Sequence, residues 1–364
     1  MKILIYFGHP AQYLFLKETM RRLQKKDIDI KIIIKSKDIL ETLLQNDKQN
    51  YINILPVKRG HSSFSIVSSL IKRIFSIYYH TKKFKPSLMI GTDASIAIVG
   101  KLFQIHRITI TEDDYDVIKM LAQLTYPLTQ SILCPNVCDV GKWSYKKVGY
   151  DGYMKLGYLH PNIFKKNKLS IKKYKLPNQY ALIRLAKLTA YHDKGIAGID
   201  AQLLDDIIVA LEKDSYQVFI SSESTIQQKY EPYLLQINPS NMHQVLAHSS
   251  LFISDSQSMS VEAALLGIPS IRISSFAGKI SVLEELEHKY KLTFGINPNY
   301  PEMIISKLNQ LMSNKDLQTQ FKNRQTKLFS DKIDVTAFLA WFLEHYPNSR
   351  KTLLNSPHYL AKFK

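Results

Sequence analysis

The stretch Leu251–Arg272, LFISDSQSMSVEAALLGIPSIR, decides the fold. It begins with a short apolar run that is typical of a buried strand, and a polar turn of small residues follows. A helix is predicted over Met259–Leu266, ended by a Gly-x-Pro sequence, and Ser270–Ile273 has the pattern of another strand. This order places the turn at the carboxyl edge of a parallel sheet and at a helix N-terminus. Unpaired amides and the helix dipole favour an anion there, most often a phosphate.

The polar turn supplies candidate ligands for a nucleotide diphosphate. Ser256, Gln257 and Ser258 bring hydroxyl, amide and backbone donors to the predicted helix start. Glu262, one turn into the helix, is placed to accept both hydroxyls of a ribose. The alternative is that Ser258 caps an ordinary helix and Glu262 lies on a solvated face. The turn alone leaves both interpretations open.

Composition predicts a soluble globular protein of two domains with anionic partners. The 364 residues are 45% hydrophobic and 22% charged, and the net charge of +18 favours a nucleotide diphosphate, an anionic membrane surface or nucleic acid. Cys134 and Cys138 lack zinc-site or thioredoxin spacing, which indicates a reduced compartment. The N-terminal run is too short for a signal peptide, and no apolar run reaches membrane-spanning length. We therefore expect a cytoplasmic protein, with peripheral attachment at the inner face of the membrane as a further possibility.

The first half alternates strands with helices, which predicts a parallel, doubly wound sheet. Strands are predicted at 2–7, 29–35, 51–57, 88–90, 107–111 and 132–135. Three polar clusters follow strands of this set, namely His9, Thr92 with Asp93, and Glu112 with Asp113. Because parallel strands end at the same edge of a sheet, we expect these clusters to share one edge.

Several roles are open to these clusters. His9 is a candidate general base, because a neutral imidazole titrates near physiological pH; the alternative is a histidine bonded to nearby backbone at a tight turn. Glu112 and Asp113 are candidates to orient that histidine, to bind a sugar hydroxyl or to act as acid or base. They are equally placed to cap a helix. Asp114-Tyr115-Asp116 fits a D-x-D metal pattern that is common by chance.

The helix predicted over residues 65–79 is apolar on most sides. Lys72 and Arg73 lie on its narrow polar side, and three more lysines follow by residue 85. One interpretation is a helix that covers the core and has a basic rim. The other is an apolar patch, ringed by positive charge, that rests on an anionic membrane.

The second half restarts the alternating pattern after a polar stretch over about residues 145–178, which has the composition of an inter-domain crossover. Residues 157–161 are expected to lie in the cleft that this crossover forms. Further strands are predicted at 180–185, 216–221 and 233–237, before the 251–273 unit. The expected domains are residues 1–165 and 175–330, with residues 331–364 forming a C-terminal crossover helix and basic tail that packs back on the first domain.

Additional candidates for the donor site follow the first strands of the second half. Arg184 ends one strand, where its guanidinium is suited to a diphosphate; the alternative is a surface ion pair. Lys187 and His192 lie in the loop that follows it, and Ser222 ends the next strand. Residues 237–242 are a candidate loop for base recognition.

This layout resembles the GT-B class of nucleotide-sugar enzymes, which have two doubly wound, Rossmann-like domains facing across a cleft. Residues 254–269 are similar to the donor-nucleotide motif of UDP-N-acetylglucosamine 2-epimerases, Ser-Asp-Ser-Gly-Gly, then Glu-Glu-Ala, then Gly-x-Pro. Gln257 and Ser258 replace the glycine pair, and Val261 replaces the first glutamate. The resemblance implies that Ser256 and Ser258 bind phosphate and that Glu262 binds the ribose.

The segments GHPAQ, GTDAS and TEDD, with Arg184 and the 254–256 turn, also resemble an uncharacterised "domain of unknown function" family of glycosyltransferase-like proteins associated with surface polysaccharide synthesis. Epimerase catalysis uses carboxylates of the first domain and a histidine of the second, and Asp93, Glu112 and His192 occupy similar places. The epimerase His-Arg-Arg-Glu-Asn run is absent from this chain.

The first hypothesis is therefore sugar transfer from a nucleotide diphosphate sugar, UDP-linked by resemblance, to a glycan or lipid-linked acceptor. Arg184, Lys187, Ser256, Gln257, Ser258 and Glu262 hold the donor, and His9, Glu112 or Asp113 takes the acceptor proton. Asp93, His192 and Ser222 are further cleft candidates. Neither a cofactor nor a metal is expected, because amides and Arg184 suit the leaving diphosphate. The alternatives are 2-epimerisation of the donor and, from another class, a non-catalytic nucleic-acid-binding module, although no specific nucleic-acid motif is visible.

Overall fold

The computed structural model describes residues 1–56, 63–186 and 197–364. Two compact units make up the chain. Unit 1 contains Met1–His160 and Lys332–Lys364, and unit 2 contains Pro161–Asp331. The chain therefore leaves unit 1 once and returns to it near its C-terminus.

Every ladder in the two sheets is parallel. The strands of unit 1 are β1 (Lys2–Phe7), β2 (Asp29–Ile34), β3 (Tyr51–Asn53), β4 (Leu88–Gly91), β5 (His106–Ile110), β6 (Ser131–Pro135) and β7 (Lys147–Tyr150). The strands of unit 2 are β8 (Tyr180–Leu185), β9 (Gln217–Ser222), β10 (Leu251–Ser254), β11 (Ser270–Ile273) and β12 (Phe294–Ile296).

Helices connect these strands, as parallel pairing requires. They are α1 (Pro10–Gln24), α2 (Leu40–Asn46), α3 (Ser63–Phe84), α4 (Ala94–Leu102), α5 (Lys119–Thr125), α6 (Leu156–Leu159), α7 (Ala201–Lys213), α8 (Met242–His248), α9 (Gln257–Leu265), α10 (Ser281–Glu284), α11 (Pro301–Met312), α12 (Leu317–Asp331), α13 (Val335–Glu344) and α14 (Asn348–Asn355). A π-turn, Glu285–Lys289, continues α10.

The sheet of unit 1 has the order β3-β2-β1-β4-β5-β6-β7. Its central strands are continuous apolar runs, and Ile3–Phe7 is wholly buried, because helices cover both faces of a doubly wound sheet. The winding direction reverses between β1 and β4, and ligands of such sheets bind beyond the carboxyl ends of the strands at this reversal. The sheet thus positions the residues that follow β1, β4 and β5.

The sheet of unit 2 has the order β12-β11-β10-β8-β9. Its first strand, β8, lies between β9 and β10, so the winding reverses between β8 and β10. Arg184 of β8 is the register partner of Ser254 of β10. The 254–258 turn and the residues after β8 therefore meet at the reversal, where a ligand site is expected in this fold.

The prediction that the C-terminal helix packs back on the first domain is confirmed. Helix α13 belongs to unit 1 and packs on α1 and α6. Thr336 donates its hydroxyl hydrogen to the carbonyl of Gly157 at 3.2 Å. Gly152 allows this approach, since an added Cβ would lie 2.4 Å from Val335 Cγ2.

Three local predictions are wrong. Residues 233–237 do not form a strand; a 3-10 turn, Gln228–Tyr233, leads there to a single bridge between Leu234 and Ile220. The stretch from 145 carries a seventh strand, β7, whose short Lys-Val-Gly-Tyr sequence has too little apolar pattern to be recognised. Helix α6, at 156–159, is buried in the core of unit 1 beside α1, not exposed in a crossover.

The face of helix α3 that is buried is not the one that its amphipathic pattern predicts. Arg73, assigned to the polar side, is buried and only 6% exposed. Large apolar side chains at one helical face are exposed instead: Val67, Ile71, Phe75, Tyr78 and Tyr79. We refer to these five residues as the α3 outer face.

Candidate functional site

The carboxyl edge of the sheet in unit 1 brings the three predicted polar clusters onto adjacent strands. Gln12 of α1 ties two of them together by donating from Nε2 to Thr92 Oγ1 at 2.6 Å. The same amide accepts from the backbone N–H of Gly8 at 2.9 Å. The loops after β1 and β4 are thus fixed against each other at the reversal point of the sheet.

His9 is the N-cap of α1 and is exposed. Its Nδ1 accepts from the backbone N–H of Ala11 at 3.2 Å, which is the local backbone contact considered as the alternative role. An imidazole that accepts at Nδ1 carries its proton on Nε2 when it is neutral. The cap bond therefore occupies Nδ1 of His9.

Asp93 caps α4 and forms an ion pair. Its Oδ1 accepts from the backbone N–H and the hydroxyl of Ser95 at 3.0 and 2.5 Å. The same oxygen lies 3.3 Å from Nε of Arg73, whose Nη1 donates to Ser69. Arg73 therefore turns inward because Asp93 supplies a countercharge, and Asp93 holds α3 and α4 together.

Glu112 lies in a buried ion pair. Its Oε1 accepts from the backbone N–H of Met154 at 2.5 Å, and its Oε2 pairs with the ammonium of Lys155. Both side chains are about nine-tenths buried, with 8% and 10% exposed. The carboxylate joins the end of β5 to the segment before α6, so its contacts are those of a structural group.

Asp113, the next residue, is exposed at the same edge, and its backbone N–H bonds to Thr111. The following D-x-D triplet is divided between two environments. Asp114 is buried and accepts from the backbone N–H of Asp139 at 2.7 Å, whereas Asp116 is exposed. Among the described residues, no group of three His, Cys, Asp or Glu side chains is arranged to hold a metal ion.

Helix α9 of unit 2 begins two residues earlier than predicted, and Ser256, not Ser258, is its N-cap. Ser256 Oγ accepts from the backbone N–H of Met259 at 3.4 Å, and Ser254 Oγ holds the Ser256 amide at 2.8 Å. Within the described part of the chain, the first-turn amides of Gln257 and Ser258 have no hydrogen-bond partner. These amides carry the positive end of the helix dipole.

Gln257 is oriented inward by a chain of polar contacts. Its Oε1 accepts from Arg272 Nη1 at 2.9 Å, and its Nε2 donates to Ser274 at 2.7 Å. Both ends of the carboxamide are thereby used, so the side chain supports the turn and its backbone amide is what remains for a ligand.

Arg272, at the end of β11, is completely buried. Its Nη2 lies 3.5 Å from Glu284 and 3.8 Å from Glu287, and its Nε has no partner among the described residues. Burial lowers the pKa of this guanidinium, and the two glutamates act in the opposite direction. A charged group is therefore held directly behind the start of α9.

Glu262 is buried on α9 and faces α8. Its carboxylate lies 3.3 Å from Nε2 of His243, near the start of α8. The solvated position considered in the sequence is therefore excluded. The buried carboxylate thus lies beside a histidine and one turn along α9 from the amides of Gln257 and Ser258.

Arg184 is held in place by two partners. Nη1 donates to Ser221 at 2.6 Å, and Nη2 pairs with Glu223, which is 44% exposed. Its Nε is buried without a partner in the described residues. The guanidinium is thus fixed at the carboxyl end of β8. Ser222 accepts from the amide of Ser224 in a local turn.

Asp255 links the two ends of the segment after β8. Its carboxylate accepts from the backbone N–H groups of Ala186 at 2.7 Å and Ile199 at 3.4 Å. Burial raises the pKa of Asp255 to about 6, although these two hydrogen bonds act to lower it. Lys187 and His192, predicted to lie in this segment, are outside the described residues.

Sequence reasoning missed the charged partners behind the site: Arg73, Lys155, His243 and Arg272. One signal for Arg272 was available, because a basic residue in the predicted buried strand SIRI needs a countercharge. No comparable signal marks His243 or Lys155, which are single polar residues whose partners lie on other elements.

No protein-family profile and no curated relative matches the chain. Several solved structures are similar to the chain. The UDP-GlcNAc 2-epimerase of Neisseria meningitidis, bound to UDP-GlcNAc, has a TM-score of 0.72 at 16% identity, covering 95% of this chain and 100% of its own. The UDP-GlcNAc 2-epimerase of Methanocaldococcus jannaschii, in complex with UDP-GlcNAc and UDP, has a TM-score of 0.64 at 14% identity. The match covers 90% of this chain and 100% of the epimerase. The spinosyn forosaminyltransferase SpnP has a TM-score of 0.61 at 10% identity, and the match covers 93% of this chain and 97% of SpnP.

These similarities and the two parallel sheets show that the chain has the GT-B fold. Both 2-epimerases and glycosyltransferases share this fold over nearly their full lengths. Because the identities are low, the comparisons establish the architecture of the chain and not its reaction.

Proposed function

We propose that unit 2 binds a nucleoside diphosphate sugar and that the protein transfers this sugar to an acceptor hydroxyl. The observation that carries the proposal is the start of α9, where the unpartnered amides of Gln257 and Ser258 lie at the reversal point of the sheet. Amides, a helix dipole and a reversal point together favour a phosphate ligand.

The neighbouring side chains specify the ligand class further. The hydroxyls of Ser256 and Ser258 suit the phosphate oxygens, and the buried carboxylate of Glu262 suits the two ribose hydroxyls. Arg184 supplies a fixed positive charge at the adjacent strand end, where charge-assisted bonds to a diphosphate are strong. Uridine is the nucleoside we propose, because UDP-GlcNAc is bound in two of the similar structures.

In the proposed reaction, the acceptor oxygen attacks the anomeric carbon of the sugar. The bond from this carbon to the diphosphate oxygen breaks, and the nucleoside diphosphate leaves with the electron pair. Asp113, which is exposed at the carboxyl edge of the sheet in unit 1, is the group we propose to take the acceptor proton. Within unit 2, the α9 amides and Arg184 stabilise the departing charge.

The contacts of two carboxylates favour transfer over epimerisation as the proposed reaction. Epimerisation at C2 needs groups that remove and return a carbon-bound proton. Asp93 and Glu112, the carboxylates that the resemblance assigns to this work, are held by Arg73 and Lys155. Epimerisation is the second candidate, favoured by the full-length similarity to epimerases bound to the sugar nucleotide.

The acceptor we propose is a glycan or lipid-linked sugar at an anionic membrane surface. The α3 outer face places five apolar side chains in solvent, and exposed Lys72, Lys82 and Lys83 flank them. An exposed apolar stripe with basic flanks suits a surface-lying helix on anionic lipid. Among the described helices, none is long and apolar enough to span a membrane.

The test uses UDP-GlcNAc in deuterium oxide, followed by proton NMR. Epimerisation exchanges the C2 hydrogen for deuterium without an acceptor, whereas transfer retains it. We expect no exchange, slow release of UDP from the donor alone, and faster release when a polyprenyl-linked sugar acceptor is added. Asp113→Asn is expected to lower the accelerated rate about 100-fold or more, and Asp116→Asn, an exposed neighbour, serves as the control. Exchange at C2 would establish the second candidate.

A further inference from the structure

Unit 1 contains a polar cavity, open to solvent, at the opposite edge of its sheet from His9. It has a volume of about 400 Å3 and lies at the amino ends of β5, β6 and β7. Four basic side chains line it, and Tyr145 and Gln130 form part of its wall. The four are Lys101, Arg107, Lys146 and Arg350. We refer to this cavity as the basic pocket.

Backbone carbonyls position two of these cations. Arg107 donates from Nε to the carbonyl of Leu128 at 2.6 Å and from Nη1 to that of Gly100 at 2.8 Å. Lys146 Nζ donates to the carbonyls of Tyr126 at 2.8 Å and Pro127 at 3.0 Å. These bonds fix the geometry of the cations and leave their charge uncompensated.

No carboxylate of the described chain forms an ion pair with any of the four cations. Arg350 donates only to the carbonyl of Tyr145, at 3.4 Å, and its Nε is buried without a hydrogen-bond partner. Burial lowers the pKa of Lys146, and the charges of Arg107, Arg350 and Lys101 lower it further. Like charges brought together in a partly desolvated cavity are unfavourable unless an anion completes them.

We propose that the basic pocket binds a phosphate group carried by a small molecule or a lipid headgroup. Arg350, Lys146 and Lys101 supply donors for the oxyanion, and Arg107 adds buried positive charge behind them. The volume is within the range of small-molecule sites and exceeds what a bare phosphate needs. The remainder of the ligand lies against Tyr145.

This proposal does not rest on the proposed function, because the basic pocket belongs to the other edge of the sheet and shares no residue with the α9 site. Binding at the two sites is therefore separable. Ser258→Ala is expected to leave the basic pocket unaffected, and Arg350→Ala is expected to leave UDP binding unaffected.

The experiment measures binding of inorganic phosphate by calorimetry and the melting temperature in phosphate or chloride at equal ionic strength. Lys351→Ala, which removes an exposed charge from the same helix, is the control. It and wild-type protein are expected to bind phosphate and to melt at a higher temperature in phosphate than in chloride. Arg350→Ala is expected to bind about tenfold more weakly and to lose this shift. In chloride, Arg350→Ala should melt no lower than wild type, because its removal relieves repulsion.

A second arm uses phosphatidylcholine vesicles with and without phosphatidic acid. If the headgroup is the source of the phosphate, Arg350→Ala lowers binding to the acidic vesicles and free phosphate competes for the site. If the ligand is a small molecule, the variant changes only the phosphate isotherm. The proposal is overturned if Arg350→Ala binds phosphate as wild type does, or if it melts lower than Lys351→Ala in chloride, since Arg350 would then be a structural residue.

Discussion

At Glu112 and Lys155, two opposite charges share a buried position in unit 1. Each is stable there only because the other is present, since an unpaired buried charge carries most of its desolvation cost. The carboxylate follows a strand at the edge where catalytic groups were expected, yet its contacts join two parts of the backbone. Position at the sheet edge therefore does not by itself assign a catalytic role to Glu112.

We predict that Glu112→Gln lowers the free energy of unfolding by about 3 kcal/mol, because the buried Lys155 ammonium loses the carboxylate that balances its charge. Urea denaturation measures this change. The double variant Glu112→Gln/Lys155→Met should recover much of the loss, and Asp116→Asn should show none. If Glu112→Gln instead unfolds at the wild-type urea concentration while losing activity, Glu112 is a catalytic group.

Within the candidate donor site, the sequence pattern predicted the positions of most residues but not their contacts. Ser256 and Glu262 lie where the strand–turn–helix pattern places them, whereas Ser258 lies in the first turn of α9, because the helix begins two residues earlier than predicted. The pattern could not show that Gln257 bonds to Arg272 or that Glu262 faces His243, because these partners come from other elements and their distances depend on tertiary packing.

At the scale of elements, α3 shows why periodicity alone misassigns a face. Apolar residues occur on most sides of this helix, so hydrophobicity does not select which side is buried. The helix turns Ser69, Arg73 and Ile77 inward, since Asp93 offers Arg73 a buried partner. Large apolar side chains are consequently left in solvent on the α3 outer face.

We predict that the double variant Ile71→Ser/Phe75→Ser weakens binding to vesicles containing phosphatidylglycerol about tenfold or more, because it removes two exposed apolar groups from the contact. Co-sedimentation measures it. Phe75 is 71% exposed, so the melting temperature should hardly change. Met303→Ser, at an exposed residue of unit 2, is the matched control, and equal binding of all three proteins would exclude α3 as the membrane contact.

Over the whole molecule, alternation of strands and helices was sufficient to predict two parallel sheets, and the resemblance to the GT-B class added the return of the last helix to unit 1. The alternation failed for β7, β12 and the 233–237 stretch. The two strands, Lys-Val-Gly-Tyr and Phe-Gly-Ile, are short runs with a glycine inside, and the stretch makes a single bridge. Such short segments owe their conformation to neighbours in the sheet more than to their own pattern.

The central claim is that unit 2 holds a uridine nucleotide at the start of α9. Calorimetric titration of UDP, with GDP, CMP and TDP alongside it, into wild type, Glu262→Gln and Glu302→Gln tests it most directly. We predict saturable UDP binding to wild type and to the control Glu302→Gln, whose altered residue is exposed on α11. Glu262→Gln is expected to bind UDP at least about tenfold more weakly, because an amide replaces the carboxylate that accepts the ribose hydroxyls. No nucleotide binding, or equal binding by all three proteins, would contradict the claim and leave α9 as a capped helix.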